Sequence, residues 1–197
     1  MIVITGYTSM IAQRFALITG WSDADELYRC RVPDENFPLD AGRYLFCQGL
    51  LRPKRMQDQT EEERAEGFEV NLDSIVRACD AVLAVNESAR ICIIGSESAY
   101  KGSFDDVYAV SKMIIHSYVE RKKLGLGQQL VAISPDIIGD AGMTTRREDR
   151  DALEMRRKAH PMKRFLRSSE VAELALHLLY HQPYIRNTVI RMHGGNK

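Results

Sequence analysis

Tyr108 and Lys112, four residues apart, are the side chains of this sequence best suited to acid–base chemistry. In a helix, that spacing places both on one face. A nearby ammonium stabilises a phenolate, so it would lower the pKa of the tyrosine toward neutrality, as a tyrosine acid–base catalyst requires. The motif is common by chance, and taken alone it is better explained as two surface residues.

Two more polar residues point to a shared site. Ser96 follows an apolar segment, twelve residues before Tyr108. A hydroxyl at a strand end and a tyrosine on the next helix can converge on one carbonyl oxygen, with Ser98 as the alternative hydroxyl. Asn71 lies inside a predicted helix, where asparagine is unfavourable. This indicates a polar role for Asn71, although simple exposure would also explain it.

The segment that joins the first predicted strand to the first helix has features of a phosphate-binding turn. Gly6 supplies a tight turn, and backbone N–H groups at the start of the following helix attract anions. Ser9 adds a hydroxyl donor. Only one glycine of the three-glycine fingerprint is present, so this motif is weak by itself.

Short apolar segments alternate with helical patterns along the chain. Strands are predicted over residues 1–5, 26–32, 43–47, 91–94, 130–134 and 188–192, and helices over 11–18, 60–86, 105–123 and 169–181. We expect Ser169 to be the N-cap of the last helix. The alternation predicts one α/β domain over residues 1–197, with a doubly wound parallel sheet whose strand carboxyl ends carry the site.

Charge and hydropathy exclude several classes of function. The 197 residues include 27 Lys and Arg against 27 Asp and Glu, which argues against nucleic-acid binding through bulk positive charge. No apolar segment approaches the roughly 18 residues of a membrane span. The N-terminus has neither the basic region nor the cleavage site of a signal peptide. We therefore expect a cytoplasmic protein with no nucleic-acid or membrane partner.

The cysteines and histidines do not indicate a metal site. The four cysteines lie in apolar segments without a CxxC pair, so reduced, buried thiols are expected: Cys30, Cys47, Cys79 and Cys92. No HExxH motif is present. His177 and His181 are four apart, but cations near a helix C-terminus are the commoner explanation. We predict that no metal is bound.

Residues 140–167 differ in composition from the rest of the chain, because arginine, glutamate and methionine are concentrated there. A solvated helix face would explain this composition. The alternative is a mobile flap on the substrate side of a site, since long insertions near strand ends often have that role.

Taken in order, these motifs resemble the short-chain dehydrogenase/reductase (SDR) family. The matching segments are Val70-Asn71-Leu72, Ile93–Ser96, Tyr108–Lys112, Ser134-Pro135, Arg164–Ala172 and Val189–Gly195. The resemblance implies a Rossmann-like fold and NAD(P)-dependent interconversion of a carbonyl and an alcohol on a small molecule.

The resemblance also assigns catalytic roles. Tyr108 would exchange a proton with the substrate oxygen, while Lys112 lowers the pKa of Tyr108 and holds the nicotinamide ribose. Ser96 would orient the substrate oxygen, and Asn71 would anchor a water of the proton relay. The cofactor-binding residues that it implies are Gly6, Thr8, Ser9, Met10, Ile11, Gln48, Gly49, Tyr108, Lys112, Pro135 and Ile138.

Arg29 and Arg31 occupy the region where the family carries its ribose-binding acidic residue. An arginine there suits a 2′-phosphate, so NADP(H) is favoured over NAD(H). Solvated charges at a sheet edge are an equally good explanation.

The chain departs from the family pattern in two ways. Met10 and Ala12 stand where the glycine loop usually has further glycines. The segment from Gly6 to Gly49 is too short for the usual run of α/β units, which predicts a shortened adenine-binding half. These departures support an alternative function, a catalytically weak or inactive binding or regulatory protein with impaired dinucleotide binding. A third possibility is epimerase or dehydratase chemistry.

Helices 105–123 and 169–181 carry apolar residues on more than one face, which predicts burial on both sides. Family members pair the equivalent helices, so we expect a homodimer or homotetramer. The alternative is that the monomer covers these residues itself.

Overall fold

The computed structural model describes residues 1–20 and 27–196, which form a parallel sheet with helices on both faces. The strands are β1 (Ile2–Thr5), β2 (Leu27–Cys30), β3 (Arg43–Phe46), β4 (Arg90–Ile94), β5 (Gln129–Pro135) and β6 (Thr188–Met192). They lie in the order β2-β1-β3-β4-β5-β6, and every neighbouring pair is parallel. The predicted Rossmann-like, doubly wound parallel sheet is confirmed.

Helices follow most of the strands. They are α1 (Met10–Thr19), α2 (Glu61–Phe68), α3 (Ser74–Val85), α4 (Ser98–Lys101), α5 (Asp106–Arg121), α6 (Gly142–Thr145), α7 (Arg150–Ala159) and α8 (Ser168–His181). A 3-10 turn covers Met56–Asp58, and a π-helical turn, Glu69–Asp73, joins α2 to α3. The predicted helix over residues 60–86 therefore exists, with a π-helical turn in its middle. Segment 140–167 contains α6 and α7.

The predicted N-cap of α8 is wrong by two residues. Arg167, not Ser169, holds the extended N-cap conformation. The carboxylate of Asp140 accepts hydrogen bonds from the Ser168 N–H (2.8 Å) and hydroxyl (2.6 Å), and Glu170 accepts from the Arg167 N–H at 2.9 Å. These contacts begin the helix at Ser168. Asp140 is distant in sequence, so the local pattern does not reveal them.

The shortening lies between β2 and β3, which flank β1 on opposite sides. Parallel strands are usually joined by a helix, but residues 31–42 cross over without helix or strand. Phe37 anchors this connection in the core, with its ring centroid 5.9 Å from those of Tyr44 and Phe46. The chain thus replaces an α/β unit with a packed loop.

Alternating side chains of each strand enter two hydrophobic cores. Val3, Tyr44 and Ile91 pack on one face of the sheet, and Ile2, Leu45 and Cys92 on the other. The four cysteines are buried and unpaired, as predicted. Within residues 1–20 and 27–196, no helix combines the length and apolar character that a membrane crossing needs. The two cores fix the strand ends, where the candidate site lies.

Candidate active site

Tyr108 and Lys112 lie one turn apart on α5, against the carboxyl end of β4. The Asp105 carboxylate caps α5 by accepting a hydrogen bond from the Tyr108 N–H at 3.2 Å. Both side chains are buried, and Lys112 is only 2% exposed. Lys112 Nζ donates to the Ile94 carbonyl at 3.0 Å and lies 5.6 Å from the centroid of the Tyr108 ring. The structure therefore brings the two side chains together inside the protein rather than on its surface.

Ser96 joins this pair from the end of β4. Its side chain makes a hydrogen bond with the Tyr108 phenol, and its Oγ accepts from the Ser98 N–H at 3.1 Å. Ser98 itself begins α4. Of the two candidate hydroxyls, that of Ser96 contacts the tyrosine.

The electrostatics of the pair differ from the sequence-based expectation. Burial raises the pKa of Tyr108, an effect to which Asp105 adds and which the hydrogen bond with Ser96 opposes. Burial lowers the pKa of Lys112 to about 8, and Cys47 opposes that shift. The predicted lowering of the Tyr108 pKa is therefore not found, because desolvation of the phenolate dominates. At neutral pH, the Tyr108 phenol is therefore protonated.

Asn71 lies in the π-helical turn between α2 and α3 and is fully buried. Its Oδ1 accepts from the Leu50 N–H, and its Nδ2 donates to the Leu50 carbonyl, both at 2.8 Å. Such turns are frequent at functional sites. The side chain therefore holds the segment after β3 beside Tyr108. This is a polar role, as the sequence indicates, while the water-anchoring role stays a prediction.

The Gly6 turn brings the ends of β1, β2 and β3 together. Gly6 has φ +58°, and a Cβ atom on it would lie 2.4 Å from the backbone nitrogen of Gln48. Its N–H donates to the Arg31 carbonyl at 3.0 Å. Both the left-handed backbone and this close approach require glycine. The missing glycines of the loop do not prevent the turn from forming.

The N-terminus of α1 opens beside this turn. Ser9 is the N-cap, and its Oγ accepts from the Ala12 N–H at 3.2 Å. The first turn, which includes Met10 and Ile11, contains no acidic residue. The Thr8 carbonyl accepts from the Gln13 side chain. The positive end of the helix dipole is thus available to an anion, whereas the acceptor capacity of Ser9 is partly used by the helix.

Gln48 offers a test of whether a nucleotide fits this site. Its Oε1 accepts from the Thr5 hydroxyl, while its Nε2 is buried and has no partner among the described residues. The side chain is 5% exposed. Buried donors without an acceptor are rare and need an explanation. A ribose or phosphate oxygen at the strand ends would supply that acceptor, so the residues present fit a nucleotide.

Gly49 lies where the catalytic residues and segment 140–167 meet. A Cβ atom on Gly49 would lie 3.2 Å from Met143 Cε, 3.8 Å from Asn71 Oδ1 and 3.9 Å from Tyr108 Cε2. The sequence indicates this segment as a flap candidate but does not single out Met143. Any larger residue at position 49 would narrow the space beside the tyrosine.

The remaining predicted cofactor residues lie on other elements of the fold. Pro135 ends β5, where its carbonyl accepts from the Glu97 N–H at 2.9 Å. The Ile138 side chain packs in the core with α1 and α8. Arg31 is exposed just after β2, beside the Gly6 turn, whereas Arg29 lines a groove of about 440 Å³ along α1. Of the two arginines, Arg31 lies next to the Gly6 turn.

Sequence reasoning missed an ion pair between a buried carboxylate and a partly exposed arginine, which holds the segment after Ser96. Glu97 is 2% exposed and accepts from Arg191 at 2.9 and 2.5 Å and from the Ser134 hydroxyl at 2.8 Å. These contacts join the ends of β4, β5 and β6. No local pattern marks Glu97, because its partners are brought to it only by the sheet.

The parallel sheet, with polar side chains at its carboxyl edge, defines a Rossmann-like protein. Residues 45–196 match the family model described as enoyl-(acyl carrier protein) reductase. That match covers more than half of the chain, so the chain belongs to the short-chain dehydrogenase/reductase family, as the motifs predict.

Solved structures agree with this assignment. A short-chain dehydrogenase/reductase of Brucella melitensis, described as a glucose/ribitol dehydrogenase, has a TM-score of 0.82 and 16% identity, covering 98% of this chain and 95% of that one. A Francisella tularensis family protein has a TM-score of 0.83, 15% identity and coverages of 98% and 97%.

A small-chain dehydrogenase solved with NADPH has a TM-score of 0.79, 19% identity and coverages of 98% and 96%. A search of curated proteins found no match. At these identities the solved structures establish the fold, and the activity of this chain has to be argued from its own site.

Proposed function

We propose that the protein is an NADP(H)-dependent reductase that converts a small carbonyl compound into an alcohol. The observation that carries this proposal is the buried Tyr108 phenol, which contacts the Ser96 side chain and lies one helical turn from Lys112. When bound, the nicotinamide supplies the hydride that adds to the carbonyl carbon. The chain's own residues supply the proton and hold the oxygen.

The protonation states support the reducing direction. Because the pKa of Tyr108 is raised, its phenol retains the proton that a carbonyl oxygen takes up on reduction. Ser96 donates a second hydrogen bond to that oxygen. The ammonium of Lys112 stabilises negative charge on the phenol oxygen once the proton has left. The proton thus moves from Tyr108 to the substrate oxygen as the alcohol forms.

The cofactor would be held by the carboxyl edge of the sheet. The turn at Gly6 and the first N–H groups of α1 suit the pyrophosphate, and Gln48 Nε2 suits a ribose or phosphate oxygen. Titration of NADPH fluorescence with the protein, followed by an assay of NADPH oxidation with small aldehydes and ketones, tests the proposal. Saturable binding with turnover supports it, and binding of neither nucleotide contradicts it.

Arg31 is proposed to select NADP(H) over NAD(H). We expect Arg31→Ala to weaken NADPH binding about tenfold, through loss of one charge-assisted contact, and to leave NADH binding within twofold. Arg29→Ala is the matched control, because Arg29 lies within β2 and lines the groove along α1, whereas Arg31 directly contacts Gly6. Fluorescence titrations of both variants with both nucleotides measure the effect. If Arg31→Ala lowers the affinities for NADPH and NADH equally, Arg31 does not recognise the 2′-phosphate.

A regulatory or binding protein with impaired turnover is the second candidate. The specific observation in its favour is the connection over residues 31–42. This connection lacks the α/β unit that would cover the adenine end of a bound dinucleotide. Binding of neither nucleotide, or NADPH binding without reduction of any carbonyl tested, would favour this candidate. The buried proton donor and its two partners favour the enzyme.

Segment 140–167 is proposed as a substrate-side flap of a single domain that spans residues 1–197. The support is the contact of Met143 with the space beside Gly49 and Tyr108. A methionine thioether adapts to irregular apolar ligands, which fits a small-molecule substrate. The free, buried cysteines suit a reducing compartment, so we also propose a cytoplasmic location.

A homodimer or homotetramer is proposed, and the two predicted helices, 105–123 and 169–181, contribute unequally to it. The outward side of α5 exposes Val110 (36%), Met113 (54%) and Ile114 (42%). In α8, by contrast, most apolar side chains are covered within the monomer. The exposed apolar patch on α5 is the surface we propose for association.

Light scattering at micromolar concentration tests the assembly. We expect the wild-type protein to be at least dimeric and Met113→Asp to shift it toward the monomer, because a buried unpaired charge opposes association. Glu120→Ala on the same helix serves as the control. A wild-type monomer would contradict the proposal.

A further inference from the structure

His116 lies one turn beyond Lys112 on α5 and packs against the backbone that carries Ser96. Its Nε2 accepts a hydrogen bond from the Ser96 N–H at 3.4 Å in a buried environment. A Cβ atom on Gly95 would lie 2.2 Å from the same nitrogen. Gly95 and His116 are therefore a matched pair, in which the imidazole occupies the space that any side chain at position 95 would need.

The imidazole is held in place by an aromatic neighbour. The ring of Tyr100 lies 5.2 Å from it, centroid to centroid. The Arg191 guanidinium stacks on Tyr100 at 4.0 Å and also pairs with Glu97. The ring orientation is thus tied to the network that fixes the end of β4.

The hydrogen bonding of His116 is hard to explain by packing alone. Because Nε2 accepts, the ring proton belongs on Nδ1, which is buried and lacks a partner among the described residues. Burial, with Lys112 as the next cause, lowers the pKa of His116 to about 4, so the ring is neutral. An apolar side chain would fill this space without an orphaned donor. The acceptor at Nε2 is what an apolar residue could not supply.

We propose that His116 is a positioning residue for the carbonyl reduction: it fixes the Ser96 peptide so that the Ser96 hydroxyl meets the Tyr108 phenol. This inference rests on the proposed function. The neighbouring residue, Glu97, is fixed separately by Arg191 and Ser134. Loss of the His116 acceptor therefore frees the Ser96 peptide while the next residue stays anchored.

Two substitutions separate positioning from packing. His116→Gln keeps an acceptor oxygen at a similar reach, whereas His116→Leu fills the space without one. We expect His116→Leu to lower kcat at least tenfold and to leave the Kd for NADPH within twofold, since His116 packs against Tyr100 and the backbone of Gly95 and Ser96. We expect His116→Gln to keep kcat within threefold of wild type. This rescue by the conservative variant is a result that a purely structural role would not produce.

Hydrogen exchange of the Ser96 amide gives a readout that does not need turnover. Exchange at this amide is expected to be faster in His116→Leu and close to wild type in His116→Gln. Should His116→Leu fail to fold, Tyr100→Leu removes the supporting ring from a half-exposed position. Its expected effect is a smaller fall in kcat, again without change in the Kd for NADPH.

The inference is overturned if His116→Leu and His116→Gln lose kcat equally, or if the Ser96 amide exchanges equally slowly in all three proteins. It is also overturned if His116→Leu does not fold and Tyr100→Leu keeps full kcat. A wild-type protein that oxidises no NADPH contradicts the proposed function instead, and the exchange experiment still decides the role of His116 in fixing Ser96.

Discussion

Replacing Tyr108 with phenylalanine is expected to lower kcat by about 10²- to 10⁴-fold, the usual contribution of a general acid. The variant keeps the ring, which is buried beside Gly49 and Lys112, and removes only the proton that the substrate oxygen needs. NADPH affinity should stay within about twofold, because phenylalanine preserves the shape of the site. Steady-state NADPH oxidation and fluorescence titration measure the two quantities.

Tyr118→Phe is the matched control for this experiment. Tyr118 lies on the same helix, but its hydroxyl donates to Asp80, away from the site. Its loss should leave kcat unchanged. A Tyr108→Phe enzyme that reduces substrate at the wild-type rate would rule out the proposed proton donor.

The sequence predicts the sheet well because its strands are buried on both faces. A nearly continuous apolar segment such as residues 91–94 belongs either to a strand buried on both faces or to a buried helix. Four residues are too few for a helix, so the segment predicts a strand. The length from Gly6 to Gly49 also predicts the missing α/β unit. The loop that replaces it, anchored by Phe37, could not be predicted, because its packing depends on aromatic residues of two different strands, β2 and β3.

The order of polar residues indicates the candidate site, but not the electrostatics inside it. The spacing of Tyr108 and Lys112 predicts their proximity, and proximity to an ammonium predicts a lowered tyrosine pKa. In the folded chain both groups are buried, and the ammonium donates to the Ile94 carbonyl. Desolvation then outweighs the hydrogen bond with Ser96 and raises the pKa of Tyr108. Burial depends on the whole fold, so spacing alone gives the wrong sign.

Residues that act through others are the hardest to find from sequence. Glu97 and His116 match no motif, and each becomes informative only through its partners. Glycines give the best indirect signal. Gly95 and Gly6 each mark a place where another residue approaches the backbone too closely for a side chain.

Lys112→Met is expected to abolish most turnover and at the same time to stabilise the protein at neutral pH. The folded chain lowers the pKa of Lys112 from 10.5 to about 8, mainly through burial. Between these two values the unfolded chain binds more protons than the folded chain, so this group makes the free energy of unfolding rise with pH. Below about pH 8, Lys112 is protonated in both the folded and the unfolded chain, so the full cost of burying its charge lowers the free energy of unfolding.

The size of this effect follows from the shift. One pKa unit corresponds to about 1.4 kcal/mol, so a lowering of this size destabilises the wild-type fold by about 3 kcal/mol at pH 7. Methionine fills similar space without charge, but it leaves the Ile94 carbonyl without its donor, which costs about 1–2 kcal/mol. A net gain of about 1–2 kcal/mol is therefore expected at pH 7, shrinking as the pH rises toward 10.5.

Urea unfolding at pH 7 and at pH 10 measures the gain, with kcat measured in parallel. Lys122→Met is the control, because Lys122 pairs with Asp80 near the end of the same helix and is partly exposed. A Lys112→Met protein that is less stable than wild type at pH 7, by an amount independent of pH, would contradict the buried-charge argument. A gain in stability with loss of turnover would instead show that the fold tolerates a destabilising buried ammonium because the chemistry beside Tyr108 requires it.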